Sequence, residues 1–537
     1  MKKKSSYLWP TIIAASMAVG IFVGGKLNFN DSPEKLFTTN SKKDKLNRLI
    51  DYIDYEYVDE INTDSIVDIT VNNILEKLDP HSVYIPKQEM DKVSENMKGD
   101  FVGIGVSFYM YKDTISIIRA IENGPSFLKG LKAGDRILMA DKDTLFGESI
   151  PNDVIIEKLK GEKGSPVELQ VYRKEDKRFF RVNVKRDVIP IKSVDAYYML
   201  SPTMGYIKVN RFAETTFKEF KTALKKLQAL GAQKLTLDLR DNPGGYLGIA
   251  EQMADEFLSE GKLILFTKNK KGKIDKVFAT KKGSFEDKPV YVLINERSAS
   301  ASEIIAGSLQ DNDLGTIVGR RSFGKGLVQR EMDLGDGSAI RLTVSRYYTP
   351  TGRSIQKSYA NGNRDYYQRF TERFHSGELF SVDSIKLADS LKFKTPKGKV
   401  VYGGGGIIPD VFVPIENYET LAWENWESGG LFSRFIFEHL DENRAQYADY
   451  SKETFVKDFQ VDDILFGLFS EYCISNNLNM DLYAYQKKIK LFLKASLAEQ
   501  LFDANTYAEI KSEGDAMLQK VLEMDKEVIP LSEPENK

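Results

Sequence analysis

Ser300 sits where a nucleophile would be useful. The hexapeptide Ser298-Ala299-Ser300-Ala301-Ser302-Glu303 follows the continuous apolar run Val290–Ile294, which reads as a fully buried strand, and precedes the helical run Ile304–Leu309. A serine at such a strand-to-helix turn lies at a helix N-terminus, where unsatisfied backbone N–H groups favour negative charge. Attack by its hydroxyl on a carbonyl creates an oxyanion at that place. The same residues also suit a serine-rich helix cap, so the hexapeptide does not decide the chemistry without a base.

The chain has 3 histidines, His81, His375 and His439, and none stands where a Ser-His-Asp arrangement is evident from the sequence. Lysine is the alternative. Its reference pKa is ~10.4, and keeping it neutral near pH 7.5 means disfavouring its charged form by about 4 kcal/mol, which an apolar pocket can do. Lys325 is the candidate: it lies in Ser322-Phe323-Gly324-Lys325-Gly326-Leu327-Val328-Gln329, an apolar stretch flanked by glycine and free of acidic residues. Most other lysines fall in charged runs typical of a solvated surface. Gly319–Lys325 also reads G-x-x-x-x-G-K, the front of a phosphate-binding loop. There Gly326 stands where magnesium coordination needs Ser or Thr, and Leu327–Tyr348 reads as two strands around Gly335-Asp336-Gly337, so that reading is set aside. A third part is Asp238-Leu239-Arg240-Asp241-Asn242-Pro243-Gly244-Gly245, a strand end closed by glycines that let backbone N–H groups approach a reacting carbonyl.

Several elements must position these groups. The 537 residues exceed one hydrophobic core, so three or four domains are expected. With 42% hydrophobic and 29% charged residues and a net charge of -2, the composition is that of an ordinary globular protein and shows no basic bias toward nucleic acid. The single cysteine, Cys473, excludes an intramolecular disulfide, and no cofactor or metal is called for. Lys2, Lys3 and Lys4 ahead of the apolar run Tyr7–Gly25 form a signal-anchor or signal peptide at 1–27. Positive-inside orientation then puts the rest outside the cytoplasm, in the periplasm or an equivalent space.

Residues 28–99 form a helical segment after a polar linker, with Leu46, Leu49, Ile50, Ile53 and Tyr57 at helical spacing and a second helix over 64–78 stopped by Pro80. From 100 to 188 short strands and glycine turns make a β-rich module. From 189 to 415 strands alternate with helices in an α/β core; Leu235, Leu237 and Leu239 alternate with Thr236 and Asp238 as in a half-buried strand, and 359–399 is a polar insertion. Residues 416–537 are helical, with Ile489, Leu493, Leu497 and Leu501 one turn apart. The expected class is a multidomain α+β and α/β chain with helical N- and C-terminal parts.

Taken together, these motifs resemble the carboxyl-terminal processing peptidases, or tail-specific proteases, from about Leu46 to Pro414. The L-D-P-H-S segment is matched by Leu78–Ser82, S-A-S-A-S-E by Ser298–Glu303, and F-G-K-G-x-V-Q by Phe323–Gln329. Tyr348-Thr349-Pro350, Gly352–Gln356 and Gly406–Val411 match further signatures. The resemblance implies Ser300 as nucleophile, Lys325 as general base and Gln329 orienting it. It also implies an oxyanion hole from the backbone N–H of Ala301 and of a glycine in Gly244-Gly245. The β-rich module resembles a PDZ domain, which holds a peptide's terminal carboxylate in backbone N–H groups and adds the peptide to a sheet edge. Gly103-Ile104-Gly105-Val106 would be that loop. The implied partner is a polypeptide with a free, apolar C-terminus; the membrane is a partner through the N-terminal segment, and a second copy or an adaptor protein is left open. The competing reading is a peptide-binding adaptor with an inactive peptidase fold, which the intact Ser300, Lys325 and Gln329 oppose. The insertion and the helical tail depart from the shorter family members.

Overall fold

The computed structural model describes residues 14–17, 19, 41–147, 150–416, 425–478 and 481–527. Two compact units divide the chain, Met1–Leu75 and Glu76–Lys537. The first holds the helix Ser41–Glu56 and most of the helix Thr63–Glu76, which ends two residues before the expected Leu78. The expected signal-anchor lies almost wholly outside the described residues. Among the described residues no helix is long and apolar enough to cross a membrane.

In the second unit the β-rich module is a sheet in the order Val106–Tyr111, Thr114–Ala120, Asp135–Ala140, Pro166–Arg173, Arg178–Lys185, closed by the helix Asn152–Leu159. Val106–Tyr111 is an edge strand, antiparallel to Thr114–Ala120. The pair Asp100–Gly103 and Asp187–Pro190 closes the module's two ends against each other.

The α/β core carries a six-stranded sheet in the order Val194–Ser201, Met204–Val209, Lys234–Asp238, Val290–Ile294, Gly315–Gly319, Val411–Phe412. All its pairings are parallel except the first. The helices Thr216–Ala229, Leu247–Asp255 and Ala301–Asp311 cover one face. The expectation of a half-buried strand at 235–239 is corrected: Thr236 and Asp238 are 0% exposed, as are the leucines. The reason lies far along the chain, where Met517, Leu518 and Val521 of the helix Ala516–Glu527 cover the other face. Asp238 is buried there as an ion, held by Arg240 and Tyr206 Oη, and Arg240 also pairs with Asp515 at 2.7 Å.

A second sheet pairs the hairpin Leu327–Asp333 and Ala339–Tyr348 with Leu263–Asn269, Ile274–Phe278 and the short strand Val83–Ile85. Lys325 is thus followed by a strand and not a helix, as the rejected phosphate-loop reading requires. The helical tail forms its own core around Phe432, Phe455, Phe469, Ile489 and Leu493. It also grips the β-rich module. Arg136 donates to Asp441 at 2.6 Å, Lys174 reaches Asp441 and Glu442, and Phe437 packs edge-on against Tyr109 and Tyr111. Those contacts use the side of the edge strand opposite Phe108 and Met110, which pack on the module's core.

Candidate active site

The nucleophile turn is built mainly by its own neighbourhood. Ser300 caps the helix Ala301–Asp311 with φ 55° and ψ −111°, a conformation unfavourable for a side-chain-bearing residue. Surrounding bonds enforce it. Ser298 Oγ donates to Leu239 O at 2.8 Å, Ala299 N to Asn242 O at 3.0 Å, and Ser302 Oγ to the same carbonyl at 3.0 Å. Asn295 and Asp241 exchange two further bonds, each 3.0 Å. The serine turn and the glycine turn are therefore stitched together, and Ser300 stays half-exposed between them.

The glycine turn is pressed against the serine. A Cβ on Gly244 would lie 2.8 Å from Ser300 Cβ and 2.9 Å from Ala299 O, and its φ is +104°. The N–H of Gly244 is already committed, donating to Asn242 Oδ1 at 2.9 Å. That of Gly245, exposed at φ +148°, makes no hydrogen bond among the described residues. Ala301 is the first residue of its helix, so its N–H has no intrahelical acceptor. Of the two glycines, Gly245 is the one with a donor to offer beside Ala301.

Glu303 joins the nucleophile turn to the base loop. Its carboxylate is buried and accepts from Ser300 N at 2.8 Å, Lys325 N at 2.8 Å, Gly324 N at 2.7 Å and Ser322 Oγ at 2.5 Å. Ser300 N and Lys325 N share the same oxygen, so the two main chains lie within two hydrogen-bond lengths of each other. Burial raises the Glu303 carboxyl above its ordinary range, while these bonds stabilise the charged form. The sequence shows Glu303 as an ordinary capping-box acid; its reach to 322–325 is a tertiary fact.

Lys325 is half-buried, and its ammonium is pushed down to about 8 by burial first and by the Arg341 charge second, against the opposing pull of Glu303 and Asp79. Nζ donates to Gln329 Oε1 at 2.9 Å. No hydrogen bond among the described residues joins it to Ser300 Oγ; such contacts commonly tighten only in the substrate complex. Gln329 in turn donates through Nε2 to the main-chain oxygen of His81. The Leu78–Ser82 segment therefore reaches the site through a carbonyl. Its imidazole Nε2 is 2.8 Å from Tyr366 Oη, and burial and the Lys325 charge lower its pKa to about 3, leaving a neutral ring. His439 bonds to Tyr447 at 2.8 Å within the helical tail.

The carboxylate-loop candidates lie in the β-rich module. Gly103 ends a strand, Ile104 is 2% exposed in the module core, Gly105 has φ +73°, and Val106 begins the edge strand. The Ile104 and Gly105 carbonyls accept from Ser126 N at 3.0 Å and Ile121 N at 2.9 Å.

Sequence comparison places the chain in a family. The model for peptidase family S41 matches residues 203–363, a PDZ domain model matches 102–184, and a family of unknown function matches 427–503. A carboxy-terminal-processing protease of Bartonella bacilliformis is 34% identical over 330 residues, covering 59% of this chain and 75% of the relative. Carboxy-terminal processing protease CtpB of Bacillus subtilis is 31% identical over 398 residues, covering 71% of this chain and 80% of the relative. The chain belongs to the carboxy-terminal processing peptidases. Among solved structures, this peptidase is similar to a photosystem II D1 C-terminal processing protease, with 24% identity, a TM-score of 0.36, and coverage of 70% of this chain and 88% of that one. Its PDZ domain is similar to that of a carboxy-terminal protease from Vibrio cholerae in complex with peptide, at 32% identity and a TM-score of 0.16, covering 17% of this chain and 97% of that one. As a serine peptidase with a PDZ domain, it is an enzyme and not only an adaptor.

Proposed function

We propose that this peptidase cleaves polypeptides near their C-termini with a Ser300–Lys325 dyad, and acts outside the cytoplasm. The observation that carries the dyad is the Glu303 carboxylate, one oxygen of which holds both the Ser300 and the Lys325 main-chain N–H. Neutral Lys325 Nζ takes the Ser300 hydroxyl proton as Oγ attacks the scissile carbonyl. The oxyanion lies against the N–H groups of Ala301 and Gly245 at the helix N-terminus. The lysine then passes its proton to the departing amine as the C–N bond breaks. Neutral Lys325 Nζ then deprotonates a water that attacks the acyl-enzyme, and it returns that proton to Ser300 Oγ as the ester C–O bond breaks. Gln329 points an acceptor at Nζ throughout.

Substrate selection falls to the PDZ loop 103–106. Gly105 at φ +73° allows a turn that presents N–H groups to one carboxylate, and the adjoining edge strand Val106–Tyr111 offers a backbone ladder for the tail. The basic flank and apolar run at the N-terminus support an extracytoplasmic location for the catalytic part.

Incubation of the purified protein with an unfolded substrate tests both claims when its tail ends in a free acid or an amide. The free-acid substrate is cut and Ser300→Ala abolishes turnover while leaving the thermal transition nearly unchanged. Amidation weakens binding roughly ten- to a hundredfold, the worth of one charge-assisted contact. Equal cleavage of the two tails would leave the peptidase reading intact and remove the C-terminus-reading one. An active Ser300→Ala variant would remove the dyad.

A further inference from the structure

The 359–399 insertion is polar along most of its length, yet its helix Asn363–His375 buries one tyrosine completely, Tyr366 at 0% exposed. That side chain packs between His81 and Phe323, the residue two before Lys325. Its hydroxyl meets His81 Nε2 at 2.8 Å, and its ring stands edge-on to the imidazole at 5.2 Å and to Phe323 at 5.9 Å. Lys357 Nζ lies over both the Phe323 and Tyr366 rings, at 3.6 and 4.0 Å. The neighbouring Tyr367 donates from its hydroxyl to Pro80 O at 2.6 Å. Nearly two turns further on, Arg373 donates to Ser322 O at 2.8 Å and to Arg321 O at 3.2 Å. A single helix thus holds both the Pro80-His81 segment and the loop that carries Lys325.

Those contacts bear on the base through one amide. A main-chain carbonyl only accepts, so the oxygen of His81 requires the NH₂ of Gln329 to face it. The other end of the amide must then present oxygen, and it faces Lys325 Nζ. If His81 drifts, Gln329 is free to turn, and an NH₂ pointed at the lysine offers no acceptor. His81 is held at its main-chain N by Asp79 Oδ1 at 2.9 Å and at its ring by Tyr366. The ring contact is the one that the insertion supplies.

We propose that Tyr366 is a positioning residue for the catalytic base, acting through His81 and Gln329, and that the insertion serves to place it. The inference rests on Lys325 being the base. It assigns a task to the polar segment 359–399, and makes the orientation of Lys325 depend on an element about forty residues further along the chain.

The test is a double-mutant cycle on the full chain, with the free-acid tailed substrate and with kcat and KM measured separately. Tyr366→Phe keeps the ring and removes the hydroxyl. It is expected to lower kcat about tenfold with KM changed less than about twofold, the pattern of a misaimed base. In a Gln329→Ala background the same change is expected to lower kcat by less than about twofold, because the path it acts through is gone. Losses that multiply across the two backgrounds, or an unchanged kcat in Tyr366→Phe, overturn the proposal. If Tyr366→Phe lacks a cooperative thermal transition, the cycle is run with Tyr367→Phe, whose ring is on the exposed side of the helix. A loss of about threefold that vanishes in Gln329→Ala then supports the same path, and a multiplicative or absent loss overturns it. Lys325→Met separates the two levels. If it is inactive, the cycle speaks for or against Tyr366 alone; if it is active, the base assignment falls first and this inference with it.

Discussion

The two halves of the proposed catalytic site are held in place by different means. Around Ser300 the restraints join two adjacent turns and end mostly on main-chain atoms: Ser298, Ser302, Asn295 and the Ala299 N–H bond the turn 295–303 to the turn 239–244, and both hang from adjacent parallel strands of one sheet. Around Lys325 the restraints are side chains from remote parts of the chain, with Gln329, His81 and Tyr366 in series. Glu303 belongs to both halves, and Phe323 N adds a second tie by donating to Ser298 O at 3.0 Å. The difference is instructive, because a reactive group held by several parallel bonds between two neighbouring turns tolerates the loss of one of them. A base whose pKa and aim come from surrounding side chains is tunable, and it is vulnerable at a distance.

The strongest test of this contrast is on the base. Lys325→Arg keeps the charge but cannot yield a neutral amine, so kcat/KM should fall by on the order of 10³ or more. In the proposed mechanism only the neutral lysine works, and with its pKa pushed down to about 8 roughly a tenth is neutral at pH 7. The rate should therefore rise nearly tenfold per pH unit below 8 and level above it. A flat profile from pH 6 to 9, or an active Arg variant, would break the comparison on the base side.

On the nucleophile side the matching change is Gly244→Ala. The added methyl would meet Ser300 Cβ at 2.8 Å, on a residue whose φ of +104° already excludes most side chains. Displacing the serine and its oxyanion donors should lower kcat by about 10²–10³ with a smaller change in KM. Normal kcat in a folded Gly244→Ala protein would show that the backbone turn is less rigid than its bonding implies.

The smallest effect expected is on stability. Lysine's folded pKa near 8 lies below its ordinary 10.5, so the charged form is disfavoured in the fold. That penalty is fully present below pH 8 and disappears as pH rises from 8 to 10.5. Lys325→Met should then raise the thermal midpoint at pH 7, by up to about 3 kcal/mol in free energy and less where water reaches the head group. The gain should shrink above pH 9. A midpoint that is lower at both pH values would mean that the lysine contributes packing that outweighs its desolvation.

Much of the site was legible in the linear chain, because its local parts carry local signals. The buried strand Val290–Ile294, the serine-bearing turn and the helix after it follow from hydrophobic runs and capping chemistry. The hairpin after Gln329 follows from Gly335-Asp336-Gly337. The strand 235–239 was only partly legible: its alternation predicted an exposed face, and a helix nearly three hundred residues later covers that face. The insertion was the least legible element, since an average of polar residues does not reveal that one tyrosine among them is completely buried.

By itself the sequence determined the order of elements, the identity of Ser300, Lys325 and Gln329 as candidates, and the likeness to carboxy-terminal processing peptidases, since these depend on short-range patterns and motif spacing. The tertiary structure alone decided that Glu303 ties Ser300 to Lys325, that the Gly244 N–H is bonded to Asn242 while that of Gly245 has no partner among the described residues, and that His81 bonds Gln329 through its carbonyl while Tyr366 holds its ring. The physical reason is that hydrogen-bond partnership and desolvation are set by distance in space. Residues 81, 303, 325, 329 and 366 acquire their roles only when two sheets and an inserted helix bring them within a few ångströms of one another.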